Sequence, residues 1–187
     1  WISAGGDSTK CKLIPNCIEM SSVEGNLRNE LDIPNDTVVF GLHQRGDNGI
    51  FSNIPLDSFS ELDEGKAMFI LLGGSKKHRE QISRLGAKNI IALDATGDAS
   101  FIHRFLNTLD VYAHGRSDGE QCSTAIMEAM YHGLPVDTHT AHSNGQGWQI
   151  GDGGVMVQTI KEYKEFFLSN RWLKNTVKFM RKLIYEG

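Results

Sequence analysis

Glu120 and Glu128 are separated by seven residues in Gly119-Glu120-Gln121-Cys122-Ser123-Thr124-Ala125-Ile126-Met127-Glu128-Ala129-Met130, and Gly133-Leu134-Pro135-Val136 follows at once. A helix starting near Cys122 would aim its free backbone N–H groups, and the positive end of its dipole, at an anion in front of it. Glu120 then lies in the loop before that end. Glu128 lies about two turns inside, roughly 10 Å further along the axis. Such a pair can hold the two ends of a ligand whose middle is a pyrophosphate, the outline of a sugar-nucleotide site. Glu128 stands among Ile126, Met127, Ala129 and Met130, and a carboxylate in so apolar a segment needs partners.

The same residues carry a resemblance. Glu-x7-Glu with an Ala-Met helix end and Gly-Leu-Pro-Val resembles the signature of the retaining GT-B glycosyltransferases (glycosyltransferase group 1), which build polysaccharides, glycolipids and glycogen-like polymers from nucleotide sugars. Tyr112-Ala113-His114-Gly115-Arg116 before Gly119-Glu120 is similar to a subgroup with His-x-Arg at that place. Asn144-Gly145-Gln146 and Ile150-Gly151-Asp152-Gly153-Gly154 resemble the donor-side loop of that group. The likeness runs over about 15–187. It implies that Arg45 and Glu120 serve catalysis, Arg45 reaching the donor phosphates with its planar fork and Glu120 accepting hydrogen bonds from the donor sugar. Glu128 would hold the ribose, and Cys122, Ser123 and Thr124 would bind phosphate through their amides. His114, Arg116, Asn144 and Gly145 would complete the donor site, with His114 and Arg116 either touching the ligand or pinning the loop. The chain departs from the family at Ile50, where a lysine is usual, and at Cys122-Ser123, where an aromatic residue and a glycine are usual.

Bulk properties bound the reading. At 187 residues with a formal charge of −4, the chain is about one domain and lacks the charge of a nucleic-acid surface. Cys11, Cys17 and Cys122 form no Cys-x-x-Cys and have no histidine at metal-ligand spacing, which points to a reducing compartment. His139 and His142 make a His-x-x-His pair, a weak signal by itself, so neither a metal nor another cofactor is expected. No apolar run reaches the length of a membrane span. The chain opens on Trp1, and the reading is of a segment of a longer cytoplasmic protein, with peripheral association at the membrane face an open alternative.

These residues need a scaffold. Apolar, β-branched runs at 37–42, 67–72, 89–93, 110–113, 135–138 and 154–157 alternate with helical patterns near 56–62, 76–85, 99–109, 123–132, 160–168 and 170–185. Apolar strands each followed by a helix imply an α/β fold, a Rossmann-like doubly wound parallel sheet of about six strands, here the C-terminal half of a GT-B fold. Ligands in such sheets sit beyond the carboxyl ends of the strands, where Arg45, Gly73-Gly74 and Glu120 all emerge. The expected organisation is an interdomain connection or remnant of an N-terminal domain at 1–20, the nucleotide-sugar-binding domain at 21–168, and an amphipathic helix at 169–187.

A dehydrogenase is excluded because no Gly-x-Gly-x-x-Gly follows the first strand. The expected function is transfer, with retention, of a hexose from a nucleotide diphosphate sugar to a carbohydrate or lipid-linked acceptor whose contacts come from an absent N-terminal domain. A non-catalytic sugar-nucleotide-binding or assembly module, or a GT-B epimerase or phosphorylase, stays open beside it. The loop around Leu93-Asp94-Ala95-Thr96, after the third strand, is the expected place of the base.

Overall fold

A computed structural model describes residues 4–10, 12, 14, 16–21, 23–45, 50, 52–60 and 67–168. The strands are β1 (Val38–Gln44), β2 (Ala67–Gly73), β3 (Ile90–Leu93), β4 (Val111–Ala113), β5 (Gly119–Glu120), β6 (Val136–His139), β7 (Ser143–Asn144) and β8 (Gly154–Val157). The helices are α1 (Ile54–Phe59), α2 (Lys76–Leu85), α3 (Ala99–Thr108), α4 (Thr124–Tyr131), α5 (Gly145–Ile150) and α6 (Ile160–Leu168). The amphipathic helix expected at 169–187, like Cys11 and the segment 46–49 after Arg45, lies outside the described residues.

Six strands form one parallel sheet in the order β3-β2-β1-β4-β6-β8. The chain moves outward from β1 through β2 and β3, returns to the other side of β1 as β4, and continues through β6 and β8. The fold is therefore α/β and doubly wound, as expected, and its direction of winding reverses between β1 and β4. A crevice opens at such a point, because the loops after the two neighbouring strands turn to opposite faces of the sheet.

Both faces are covered. Successive side chains of a strand alternate in direction, and Phe40 of β1 packs with its ring centroid 4.5 Å from that of Phe167 of α6. Phe59 of α1 meets Phe69 of β2 at 5.4 Å on the same face. His43, an odd number of residues from Phe40, turns to the other face, 6.0 Å from Phe105 of α3. Each of these fully buried phenylalanines contributes about 1.5–3 kcal/mol of apolar burial.

The helix boundaries follow local chemistry. Ser75 and His78 close a capping box at the start of α2, and left-handed Gly86 ends that helix. Asp98 caps α3 by accepting hydrogen bonds from the amides of Ser100 and Phe101, satisfying donors the helix cannot. The first helix is displaced from 56–62 to Ile54–Phe59, where Pro55 occupies the first turn, a position that suits a residue without an N–H.

Two short elements lie outside the sequence expectation. β5 and β7 pair in parallel, Gly119 with Ser143 and Glu120 with Asn144, joining the loop after β4 to the loop after β6. Gly119 has φ +77° and packs so tightly that a Cβ would collide with the Ser143 carbonyl. Gly145 is similarly close to the Gln121 backbone. Glycine is the residue that permits both approaches.

Asp137 in β6 is wholly buried, with no hydrogen-bond partner at either carboxyl oxygen. Burial pushes this carboxyl well above the usual carboxylate range. No helix among the described residues is long and apolar enough to cross a membrane.

Candidate functional site

A cavity of about 430 Å³ opens at the β1–β4 crevice. β1 and its exit supply His43, Gln44 and Arg45, and the loop after β4 supplies His114, Arg116 and Glu120. The start of α4 adds Cys122, Ser123, Thr124 and Ala125, with Glu128 further along that helix. Ala95 and Thr96, the expected place of the base, line it from the far side, and Ile50 lies on its wall. Eight of the ten site residues named from sequence thus share one cavity. Asn144 and Gly145 are not on its wall: Asn144 Oδ1 accepts from the Ala141 amide at 2.8 Å, and Gly145 lines a second cavity.

The start of α4 opens on this cavity, and its backbone amides are not all free. Ser123 is the N-cap, its hydroxyl accepting from the Ile126 amide at 3.4 Å. The Ser123 amide is itself engaged, donating to Gln149 Oε1 at 2.9 Å while Gln149 Nε2 returns a bond to the Ser123 carbonyl at 2.7 Å. The amides of Cys122, Thr124 and Ala125 carry no hydrogen bond among the described residues. The donors left free at this helix start among the described residues are therefore those flanking Ser123, which lie at the positive end of the helix dipole.

Glu128 meets a partner that sequence reasoning missed. His43 Nε2 lies 2.6 Å from Glu128 Oε2, joining the end of β1 to α4 across 85 residues. The His43 backbone is fixed in turn, since Tyr112 of β4 donates its hydroxyl to the His43 carbonyl at 3.0 Å. The signal for His43 was available: a polar side chain near the carboxyl end of a strand buried on both faces needs a reason.

Arg116 pins the loop. Its Nε donates to Asp118 Oδ1 at 2.7 Å and its Nη1 to Glu120 Oε1 at 2.9 Å, and the hydrogen bond to Asp118 holds the guanidinium above its ordinary value. Arg45, exposed on the cavity wall, has no carboxylate partner among the described residues. It is thus the cation of this wall left open to a ligand.

His114 is buried, and burial first, then neighbouring His139, Arg116 and His43, push it down to about 3. It is neutral. Its Nδ1 lies 2.8 Å from Thr138 Oγ1, whereas Nε2 has no hydrogen-bond partner and stands 3.9 Å from Glu120 Oε1. A ligand hydroxyl reaching Glu120 would satisfy this nitrogen as well. His139, buried, faces its Nδ1 to the Thr140 carbonyl and His142 is exposed. Among the described residues no group of three or more histidine, cysteine or carboxylate side chains is placed to hold a metal ion.

A polar chain joins α3 to the end of α4. Asn107 uses its amide nitrogen on the carbonyls of Val23 and Gly25, so its oxygen must accept from His132 Nδ1, at 2.7 Å. His132 Nε2 is then an acceptor, and His103 Nδ1 donates to it at 2.8 Å. Protonating His132 would set two N–H groups against each other. Burial, reinforced by His103 and opposed by Glu128, pushes His132 down to about 4. A histidine depressed in the fold gives stability that is complete above its unfolded value, about 6.5, and lost as pH falls toward 4. We expect urea unfolding to show the chain losing stability between pH 7.5 and 5, and His132→Gln to reduce proton uptake on unfolding in that window by up to about one proton. An unchanged pH slope in the variant would show that His132 is not held neutral.

No family model matches this chain, and no curated protein matches it. Among solved structures it is similar to Anabaena HepE (Alr3699) in complex with UDP-glucose, at 22% identity and TM-score 0.68 over 84% of this chain and 46% of that one. It is similar to WaaG, a glycosyltransferase involved in lipopolysaccharide biosynthesis, at 18% identity and TM-score 0.60 over 82% and 45%. Sucrose-phosphate synthase from Thermosynechococcus elongatus gives 14% identity and TM-score 0.64 over 83% and 42%. At these identities the likeness shows a shared fold, and the chain spans less than half the length of each structure.

Proposed function

We propose that this chain is the donor-binding half of a retaining glycosyltransferase, taking a nucleoside diphosphate sugar whose hexose passes to a carbohydrate or lipid-linked acceptor. The observation that carries the reading is a helix N-terminus at the β1–β4 crevice, set between two carboxylates and sharing its cavity with an arginine that has no carboxylate partner among the described residues. In this reading the diphosphate lies against the Thr124 and Ala125 amides and Arg45, the ribose reaches Glu128, and the hexose reaches Glu120 and His114 Nε2. The solved complex of HepE with UDP-glucose supports a uridine nucleotide sugar as the first donor to try.

The chemistry asked of these residues is electrostatic. Breaking the bond between the sugar and the diphosphate leaves negative charge on the phosphate oxygens, and fixed amide dipoles with a guanidinium in a partly dry crevice stabilise that charge without reorganising. No residue of this half is asked to carry the sugar covalently. Residues from the remaining half would bring the acceptor.

A second reading, a sugar-nucleotide-binding or assembly module without catalysis, is favoured by one observation. Ile50, where the resembling family has a lysine, lines the cavity with an apolar side chain and removes a charge from the phosphate clamp.

Calorimetric titration of UDP, UDP-glucose and the adenine and guanine counterparts tests the donor site. One nucleoside diphosphate should bind at one site per chain, and the chain alone should not transfer sugar, because one wall of an interdomain cleft cannot position an acceptor. Failure of every nucleotide to bind would overturn the donor reading. Sugar transfer by this chain alone would overturn the need for a second half.

A further inference from the structure

The loop that carries Glu120 has a second face. A further cavity of about 800 Å³ shares Arg116, Glu120 and Cys122 with the first, so the Glu120 loop is a wall common to both. Trp148 of α5, a residue 63% exposed, also lines it. Asp118, Gln121 and His142 supply polar groups around it.

The indole is held in place. Gln146, buried, accepts from the Glu120 amide at 3.1 Å and donates to the His139 carbonyl at 3.0 Å. Gln149 makes the two bonds to Ser123 described above. Trp148 lies between these two glutamines in sequence, so the helix turn that carries it is tied to the Glu120 loop on both sides. A large aromatic left in water on a fixed support is a recognition surface, because little conformational entropy remains to be lost on binding.

The lining identifies the ligand class. Arg116 is neutralised by Asp118 and Glu120, so among the described residues the cavity's lining offers no free lysine or arginine for a phosphate. What it offers is the flat apolar face of Trp148, with Ile14 as a further apolar side chain, and the hydrogen-bonding groups of Asn16, Asp118, Gln121 and His142 in the same lining. A pyranose has the matching form: an apolar C–H face and a rim of hydroxyls.

We infer that this cavity is a pyranose subsite, in which a saccharide stacks on Trp148 and its hydroxyls bond Asp118, Gln121 and His142, on the far side of Glu120 from the donor hexose. Its assignment as the acceptor side rests on the donor reading of the first cavity.

The test uses the whole chain with methyl α- and β-glucopyranoside, maltose and cellobiose as probes. In a Trp1→Phe, Trp172→Phe background, which leaves Trp148 as the only tryptophan, at least one probe should change the indole emission saturably. In the otherwise native chain, Trp148→Ala should lower affinity for that probe by about tenfold or more, near 1.4 kcal/mol, while Trp148→Phe keeps most of it. UDP affinity should stay within about twofold in both variants, since the indole is not on the donor wall. UDP binding without binding of any saccharide overturns the subsite alone. Equal losses of UDP and saccharide in Trp148→Ala overturn it too, showing that the indole only supports the loop. Saccharide binding without UDP binding overturns the donor reading and leaves the subsite standing.

Discussion

Arg45→Ala is expected to weaken UDP binding by about 1.5–3 kcal/mol, the range for a charge-assisted hydrogen bond, and to leave uridine binding almost unchanged. The expectation follows from the charges of the cavity wall. Arg116 is committed to Asp118 and Glu120, whereas Arg45 is exposed with no carboxylate partner among the described residues. Removing it therefore breaks no ion pair described within the protein, and the loss belongs to the ligand phosphate. Calorimetry with UDP and uridine on the wild-type chain and the variant decides the matter. Equal losses for both would mean that the arginine orders the loop after β1.

The second large effect separates the two carboxylates. Glu128→Gln should weaken UDP and UDP-glucose alike, by about 1.5–3 kcal/mol for a hydrogen bond to a charged group, because both ligands contain the ribose and an amide is the poorer double acceptor. Glu120→Gln should leave UDP nearly unchanged and reduce the advantage of the sugar conjugate. Each carboxylate also has a partner in the protein: His43 at 2.6 Å for Glu128 and Arg116 at 2.9 Å for Glu120. Thermal unfolding without ligand must therefore accompany the titrations, so that a loss of folding is not mistaken for a loss of contact. Should Glu120→Gln damage UDP as much as UDP-glucose, the donor lies the other way along α4.

Much of the scaffold was legible because its causes are local. The bounds of α2, β8 and α6 match their sequence patterns, and α2 carries its own start and stop in Ser75 and Gly86. Apolar runs separated by helical periodicity were enough to imply a covered parallel sheet. β1 extends to Gln44, past the expected 42, because β2 pairs with it along its whole length, to Gln44 with Gly73. The apolar pattern of β1 itself ends sooner.

The sequence by itself determined that Arg45, Glu120 and the start of α4 emerge at one edge of the sheet, since each follows a strand and parallel strands share a direction. It also determined that a carboxylate lies inside α4, by spacing alone. Only the tertiary structure decided what those groups touch. His43 reaches Glu128 across 85 residues through the placing of α4 over β1. Gln149 takes the Ser123 amide, which the helix start alone would have left for a phosphate. The β5–β7 pair has two residues in each strand, too short for any periodicity, and α5 is rich in glycine and glutamine and shows no apolar stripe. Yet these elements fix the Glu120 loop and moved Asn144 and Gly145 off the wall of the main cavity. The physical reason is that strand and helix patterns report burial of a residue's own segment, whereas a hydrogen bond between distant segments depends on how packed elements align, and no local pattern encodes that alignment.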